Sequence, residues 1–424
     1  MAGAPNYDRR VPHTDSEPLS RRQTYLRRRI AVFTALGVVL ATGFYLPLTL
    51  LAPLPAVSPT VQTLEIAPAA PAALDWPTTT ASGVGAVGFD GVLASTGSTE
   101  PLPIASITKI VTALVVLEQH PIAPGTEGAS LTFGPSDVAI RQALRAVNGV
   151  VAPMSNGMTL SQRAIMQVML VESANNYAAS LAAWAFGSEA GFVEAANAWL
   201  DRKGLTATVL TDATGMSPAN RSTPADLIEL GKLALADPLV AEIVASRSVS
   251  VPGVGTYDNR NRLLAVDGVT GIKTGTLDEA GACLLFAADI TVGSSTVTTV
   301  GVVLGGVDHA SLALEASALL ADIRDGFHEV VLVEAGDPIG SYETAWGSTV
   351  GLEAATSATT VVWSDAAVST TIETDDVRAA AGGTDLGDLV FAVGDQSIAV
   401  DLVLSSAIDD PGPWWRLGNP FELF

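Results

Sequence analysis

A run of 22 residues without a charged side chain, IAVFTALGVVLATGFYLPLTLL at 30–51, divides the sequence near its beginning. As an α-helix this run would be about 33 Å long, which matches the hydrocarbon core of a bilayer. Arg27, Arg28 and Arg29 directly precede it, and arginines at that end predict a cytoplasmic N-terminus. We therefore expect a cytoplasmic basic tail at 1–29, a transmembrane anchor at 30–51, and the remainder outside a cell membrane that it crosses once. A cleaved signal peptide is the alternative, although its apolar region is usually shorter.

The charge and the cysteine content exclude several classes of protein. The formal net charge is −22, and most of the acidic residues follow the predicted anchor. A surface this acidic repels nucleic acid, so no nucleic-acid partner is expected. Cys283 is the only cysteine, which rules out an intrachain disulfide, and the four histidines do not show metal-ligand spacing.

Beyond the anchor, the pattern changes twice. Residues 52–80 are rich in Pro, Ala and Thr, which is typical of an extended linker. Residues 81–329 predict a mixed α/β (α+β) domain with an antiparallel sheet and a helical block. Its predicted elements are a β-hairpin within 83–98 around Asp90-Gly91, helices near 106–119, 159–185, 188–203, 223–236 and 309–327, and strands near 247–252, 282–291 and 296–305. Residues 330–408 form short Val- and Thr-rich runs, so 330–424 is expected to be a small all-β domain with a Trp- and Pro-rich tail.

The tail itself, PWWRLGNPFELF, contains prolines and glycines that leave at most four uninterrupted residues. A helix that short does not offset its nucleation cost. We therefore expect no membrane-binding helix here, and we expect Trp414, Trp415 and Phe421 to pack on the β domain.

Lys109 is the only charged residue between Glu100 and Glu118, in the run PLPIASITKIVTALVVL. Ser106 lies three residues before it, and on a helix these two side chains project from one face. Burial among apolar groups lowers the pKa of a lysine, and a neutral amine can accept the proton of a neighbouring serine. Ser-x-x-Lys by itself is weak evidence, because the pattern occurs by chance in many chains and then more often marks a helix-capping serine and a lysine that reaches solvent.

Two further motifs accompany it. Ser173-Ala174-Asn175 lies in LVESANNY, and Lys273-Thr274-Gly275-Thr276 lies in GVTGIKTGT. The order Ser-x-x-Lys, Ser-x-Asn, Lys-Thr-Gly is the signature of penicillin-recognising serine enzymes.

On these motifs, the sequence resembles the low-molecular-mass penicillin-binding proteins of the D-alanyl-D-alanine carboxypeptidase type, serine peptidase family S11. The resemblance covers about 83–325, and it is weaker for the family's C-terminal β domain at 330–408. In its low lysine and high alanine content, the sequence is similar to actinobacterial members. The resemblance implies the penicillin-recognising fold that β-lactamases and transpeptidases share. Ala174, Asn176 and Thr276 depart from the family pattern of glycine, aspartate and a larger residue, which leaves substrate preference open.

The resemblance also implies an activity, which is hydrolysis of the terminal D-Ala-D-Ala bond of peptidoglycan stem peptides through a serine acyl-enzyme, without a metal or organic cofactor. It implies that β-lactams act as covalent inhibitors. Ser106 would be the nucleophile, Lys109 the general base, and Ser173 the relay of a proton to the leaving D-alanine. The backbone N–H groups of Ser106 and Thr276 would form the oxyanion hole. The substrate would be bound by Asn175, Lys273, Thr274, Gly275 and Thr276.

Two other functions are compatible with the same fold. A class A β-lactamase shares the three motifs but needs a glutamate that activates the deacylating water, and no glutamate lies between Ala195 and Ile228. An inactive wall-binding scaffold would not need the reacting groups, all of which are present. The balance among carboxypeptidase, endopeptidase and transpeptidase activity stays open.

Overall fold

The computed structural model describes residues 21–394 and 396–424, so residues 1–20 of the predicted cytoplasmic tail lie outside it. The described residues form ten α-helices and nineteen β-strands. The helices are α1 (Arg21–Leu50), α2 (Thr108–Gln119), α3 (Pro135–Ala146), α4 (Gln162–Gln167), α5 (Asn175–Phe186), α6 (Glu189–Arg202), α7 (Pro224–Ala236), α8 (Pro238–Ala245), α9 (His309–Asp325) and α10 (Pro413–Gly418).

The first twelve strands belong to the N-terminal three quarters of the chain. They are β1 (Thr60–Val61), β2 (Ala81–Ala86), β3 (Ala94–Gly97), β4 (Leu102–Pro103), β5 (Ser130–Thr132), β6 (Thr159–Ser161), β7 (Arg221–Ser222), β8 (Ser248–Val251), β9 (Gly255–Asp258), β10 (Val269–Leu277), β11 (Gly281–Val292) and β12 (Ser295–Gly306). The C-terminal strands are β13 (Phe327–Val333), β14 (Pro338–Glu343), β15 (Thr349–Ala354), β16 (Ala358–Trp363), β17 (Ser369–Thr374), β18 (Asp385–Val393) and β19 (Gln396–Leu404).

Helix α1 is the one helix of the described chain that is long and apolar enough to cross a membrane, with a mean hydropathy of 1.9 over its apolar window. It includes the predicted span 30–51 up to Leu50 and begins nine residues earlier, among the arginines. The linker at 52–80 is mostly extended, as its composition predicts, but it lies against the protein. Its strand β1 pairs with β14, and the backbone N–H of Ala72 donates to Ser364 Oγ.

The central sheet is antiparallel, with the order β10-β11-β12-β2-β3. The predicted hairpin at 83–98 is confirmed as the pair β2–β3. Both faces of the sheet are covered, which is why β11 reads as the continuous apolar run ACLLFAADI. Leu285 and Ala287 face the core that contains α2, α5 and α7, whereas Leu284 and Phe286 face α9.

Four helices of this domain match the bounds that the sequence pattern predicts. Helices α2, α6, α7 and α9 lie within two residues of the predicted bounds. The single helix predicted at 159–185 is wrong, because the chain there forms β6, α4, a π-helical turn at Val168–Glu172 and α5. The interruption falls at Ser173, whose φ of 66° cannot continue a right-handed helix.

The C-terminal strands confirm the predicted all-β domain. Its main sheet has the order β1-β14-β15-β19-β18-β17, and β13 pairs separately with β16. Large side chains that alternate along the strands fill its core, among them Tyr342, Leu352, Leu389, Phe391 and Leu402.

The prediction for the tail is wrong in two respects. Residues Pro413–Gly418 form α10, because Pro413 occupies the first helical position, where a missing N–H has no cost. Trp415 packs edge-on against Trp346, with ring centroids 5.6 Å apart, but Trp414 and Phe421 are 85% and 94% exposed. The tail also contacts the membrane-length helix, since Tyr45 Oη donates to the carbonyl of Leu417 at 2.6 Å.

Candidate active site

Ser106 and Lys109 lie side by side at the start of α2. Ser106 belongs to a 3₁₀ turn at Ala105–Ile107 that leads into the helix, and Lys109 lies in the first helical turn. Ala105 has a φ of 46°, a region that non-glycine residues rarely occupy and that is found disproportionately at functional sites. Lys109 Nζ is 2.9 Å from Ser106 Oγ.

Lys109 is completely buried, and its amine has two further partners. Nζ donates to Asn175 Oδ1 at 2.7 Å and to the carbonyl of Thr214 at 2.6 Å. Burial, and secondarily the charge of Lys273, hold the pKa of Lys109 well below its ordinary value. Both oxygens can only accept hydrogen bonds. A neutral amine has two N–H groups, so it satisfies both oxygens and keeps its lone pair for the hydroxyl of Ser106.

Ser173 and Lys273 form a second pair in the same cleft. Lys273 Nζ donates to Ser173 Oγ at 3.0 Å and to the carbonyl of Thr274 at 3.0 Å. Burial, followed by the charge of Arg260, lowers the pKa of Lys273 to about 7. The left-handed backbone at Ser173 ends the π-helical turn, and Asn175 then starts α5.

The third motif lies on β10, which forms one edge of the central sheet. Gly275 allows this strand to approach the nucleophile turn, because a Cβ at that position would lie 3.0 Å from both Ala105 Cβ and Ser106 N. Lys273 and Thr274 are buried, whereas Thr276 is exposed toward the cleft. The structure therefore brings together in one place the predicted residues Ser106, Lys109, Ser173, Asn175, Lys273, Thr274, Gly275 and Thr276.

A loop at 212–220 supports the nucleophile from behind. The carboxylate of Asp212 accepts hydrogen bonds from the backbone N–H groups of Thr214, Gly215 and Ser217. This arrangement holds the Thr214 carbonyl against Lys109 and places Gly215, at a φ of 82°, against the Ala105 carbonyl. Asn220 completes the support with a hydrogen bond from its Nδ2 to Thr108 Oγ1. This loop, DATGMSPAN, lies outside the three motifs, although it falls within the range 83–325 over which the sequence resembles the family.

The cleft in front of Ser106 has a volume of about 540 Å³. Six charged or titratable residues that line it were not predicted from the sequence, namely Glu172, Tyr257, Asp258, Arg260, Arg262 and His309. Glu172 is ion-paired with Arg260 at 2.7 Å. The signal for these residues is weak, because NRNR at 259–262 resembles a solvated loop and His309 is a lone histidine at a helix start. Asn176, one of the departures from the family pattern, is fully buried and bonds the backbone of Ala152 rather than facing the cleft.

Comparisons with known proteins agree on one family. The model of the D-alanyl-D-alanine carboxypeptidase family, peptidase S11, matches residues 89–307, which is just over half of the chain. A D-alanyl-D-alanine endopeptidase of Pseudomonas aeruginosa is 31% identical over 196 residues, 45% of this chain and 60% of that protein. The carboxypeptidase DacD of Escherichia coli is 26% identical over 262 residues, 59% of this chain and 64% of that protein. The chain thus spans about three fifths of the curated relatives that it matches.

Solved structures show the same fold. Penicillin-binding protein 5 of Haemophilus influenzae superposes with a TM-score of 0.55 at 21% identity, over 83% of this chain and all of that one. The Streptomyces K15 DD-transpeptidase superposes with a TM-score of 0.52 at 25% identity, over 58% of this chain and 98% of that one. Given the match of the family model across all three motifs, the chain belongs to the S11 family of D-alanyl-D-alanine carboxypeptidases and has the penicillin-recognising fold.

Proposed function

We propose that this protein is a serine D-alanyl-D-alanine carboxypeptidase that removes the terminal D-alanine from peptidoglycan stem peptides. The stem peptide would extend along the free edge of β10 and pair with it as an added strand. Ser106 would be acylated, and water would then release the shortened peptide. No cofactor is needed for this chemistry.

The observation that carries the proposal is the environment of Lys109. Its amine is buried, its pKa is lowered, and two carbonyl-type oxygens hold its two N–H groups while Ser106 Oγ lies 2.9 Å away. A lysine in this state can act as a base toward the serine hydroxyl. A purely structural lysine would be charged or would reach solvent.

In the acylation step, Lys109 takes the hydroxyl proton of Ser106 while Oγ attacks the carbonyl carbon of the penultimate D-alanine. The negative charge that develops on the carbonyl oxygen is stabilised by the backbone N–H groups of Ser106 and Thr276. One such donor typically lowers the activation free energy by about 2.7–4 kcal/mol. Collapse of this intermediate breaks the C–N bond. The leaving D-alanine amine receives its proton from Ser173, which is resupplied by Lys273 at 3.0 Å.

In the deacylation step, water attacks the ester carbonyl of acylated Ser106 and transfers a proton to a basic lysine of the cleft. The C–O bond then breaks, and Ser106 regains its proton. Lys273, Thr274 and Thr276 would hold the terminal carboxylate of the substrate during acylation. β-Lactams would enter by the same route, and the acyl-enzyme that they form would be long-lived.

The names of the relatives include endopeptidase, carboxypeptidase and transpeptidase. All three reactions share acylation of the serine. They differ in the peptide bond that is cleaved or in the acceptor, water or an amine, that attacks the acyl-enzyme. We propose carboxypeptidase activity because that is the description of the family whose model matches.

We further propose that α1 is a retained single-pass anchor and that the rest of the chain lies outside the cell membrane. Its length, its hydropathy and the arginines at its start support this assignment. Peptidoglycan stem peptides would then be within reach of the cleft.

Mass spectrometry of a synthetic pentapeptide ending in D-Ala-D-Ala, incubated with the full chain, tests the function. We expect release of one D-alanine, and we expect benzylpenicillin to add one drug mass to the protein. Ser106→Ala should abolish both, with a loss of turnover on the order of 10⁶-fold, as is typical when a catalytic serine is removed. Rapid hydrolysis of the drug would point to a β-lactamase instead. If the protein neither cleaves the peptide nor becomes acylated, the result would point to a scaffold. A Ser106→Ala variant that still becomes acylated would contradict the assignment of the nucleophile.

A further inference from the structure

His309 contacts the third motif from a different element of the fold. It is the first residue of α9, and its Nε2 lies 2.6 Å from Thr276 Oγ1. The imidazole is half-buried and lines the same cleft as Ser106 and Thr274. None of the three sequence motifs includes this residue, and the steps described above do not use it.

The surroundings of His309 disfavour a charged imidazole while the cleft is empty. Burial lowers the pKa of His309 most, and the cations Lys273, Arg262 and Arg260 lower it further, against a smaller opposing effect of Asp308. The position at the start of a 17-residue helix acts in the same direction, because the positive end of the helix dipole repels a cation. Two other carboxylates line the cleft, namely Glu172, which is paired with Arg260, and Asp258 at the end of β9.

We propose that His309 couples binding of the substrate's terminal carboxylate to the uptake of one proton, so that this cleft binds carboxylate-ended peptides more tightly as the pH falls. This inference rests on the proposed function, because it takes the carboxylate to lie beside Thr276. A carboxylate at that place adds a negative charge close to the imidazole. The charged form of His309 is then stabilised in the complex and not in the empty cleft.

The hydrogen bond to Thr276 provides the mechanism. A neutral imidazole can accept the hydroxyl proton of Thr276, which then points away from the substrate. A protonated imidazole can only donate through Nε2–H, so Thr276 Oγ1 becomes the acceptor. The hydroxyl proton of Thr276 is thereby free to turn toward the carboxylate, and the imidazolium adds its own charge to the subsite.

The direction of the pH dependence follows from linkage. If the complex binds a proton at His309 that the empty cleft does not, affinity rises as the pH falls from the pKa of the complex to that of the empty cleft, and it levels off below both. Each unit by which the carboxylate raises the imidazole pKa corresponds to about a tenfold gain in affinity across that window.

The test uses the full chain in detergent and compares two peptide substrates. One peptide ends in free D-Ala-D-Ala, and the other ends in the C-terminal amide of D-Ala-D-Ala. The titration of Lys109 affects both peptides equally, so it cancels when kcat/KM for the free-carboxylate peptide is divided by kcat/KM for the amide. Lys273 binds the carboxylate, so its titration remains in this ratio. For the wild type we expect this ratio to rise by about tenfold as the pH falls through the window, mainly through KM. His309→Gln keeps a hydrogen-bonding side chain but cannot be protonated, so it should reduce the pH dependence of the ratio to the part that comes from Lys273, which also binds the carboxylate and has a pKa of about 7.

A matched control is His328→Gln, since His328 lies in β13 and its Nε2 bonds the carbonyl of Ala70, away from the cleft. It should retain the pH-dependent ratio. Circular dichroism and the melting temperature of each variant show whether it is folded. If His309→Gln and the wild type have the same profile, the proposal is wrong.

Binding without turnover separates this inference from the proposed function. Calorimetry on Ser106→Ala, in buffers with different ionisation enthalpies, measures the protons taken up with the free-carboxylate peptide. Proton uptake that is smaller in Ser106→Ala/His309→Gln than in Ser106→Ala supports the proton-linked subsite. It does so even if the wild type never cleaves the peptide, an outcome that would overturn only the hydrolase assignment. Equal proton uptake by the two variants, peptide binding without proton uptake, or no binding at all would overturn the inference.

Discussion

At the scale of single residues, the chemistry depends on the protonation state of Lys109. Its pKa is lowered by burial, so we expect acylation to rise with pH through that pKa and to be lost as the amine becomes charged at lower pH. Lys109→Arg places in the cleft a group that does not deprotonate in proteins, and it should reduce benzylpenicillin acylation by about 10²–10⁴-fold, the range for loss of a general base. Lys109→Met buries no charge and should lose acylation to the same extent. It provides the test if the arginine variant does not fold. The exposed Lys203 provides the control, and Lys203→Arg should acylate as the wild type does. Near-normal acylation by either Lys109 variant would place the base elsewhere.

At the scale of elements, the turn that carries Ser106 depends on the loop at 212–220. A Cβ at Gly215 would lie 2.0 Å from the carbonyl oxygen of Ala105, so Gly215→Ala must displace the nucleophile turn in addition to straining a backbone at a φ of 82°. We expect at least about a 10²-fold loss of acylation, because a displacement of 1 Å is enough for that. Gly204→Ala separates the two effects, since Gly204 has a similar φ of 77° and no atom near its missing Cβ. It should cost about 1–2 kcal/mol of stability and leave acylation unchanged. Equal acylation by the two variants would show that the contact with Ala105 is not needed.

At the scale of the whole molecule, the apolar part of the membrane-length helix does not belong to the core of either domain. Helix α1 is fully exposed over its apolar window, and the chain after it runs along the β domain through β1. Protease added to intact spheroplasts should therefore digest the domains and leave a short protected N-terminal fragment. The control is the same digestion after detergent permeabilisation, which should remove the fragment too. A fully protected protein would reverse the proposed topology, and a mature N-terminus near residue 57 would show that α1 is cleaved as a signal peptide.

Much of the fold follows from local patterns, because those patterns reflect which faces are buried. The strands β11 and β12 and the helices α7 and α9 are predictable to within two residues, since their apolar runs are clear and their ends have cap or turn residues. Helix α3 is not evident from the sequence because it has few large apolar residues and none of its residues is buried, although its apolar residues lie mostly on one face. The tail departs from the prediction because Pro413 does not break the helix but occupies its start, where proline is favoured.

By itself, the sequence determined the family, the order of the three motifs and the isolation of Lys109 in an apolar run, since these are properties of residue type and spacing. Only the tertiary structure decided which groups meet Lys109 from far along the chain, among them Asn175 and the carbonyl of Thr214. The helix break at Ser173 and the contact between His309 and Thr276 likewise depend on the tertiary structure. The physical reason is that a pKa, a left-handed backbone and a hydrogen bond between distant elements depend on burial and on neighbours in space. Local patterns specify helices and strands, whereas the environment of a reacting amine exists only when those elements are packed together.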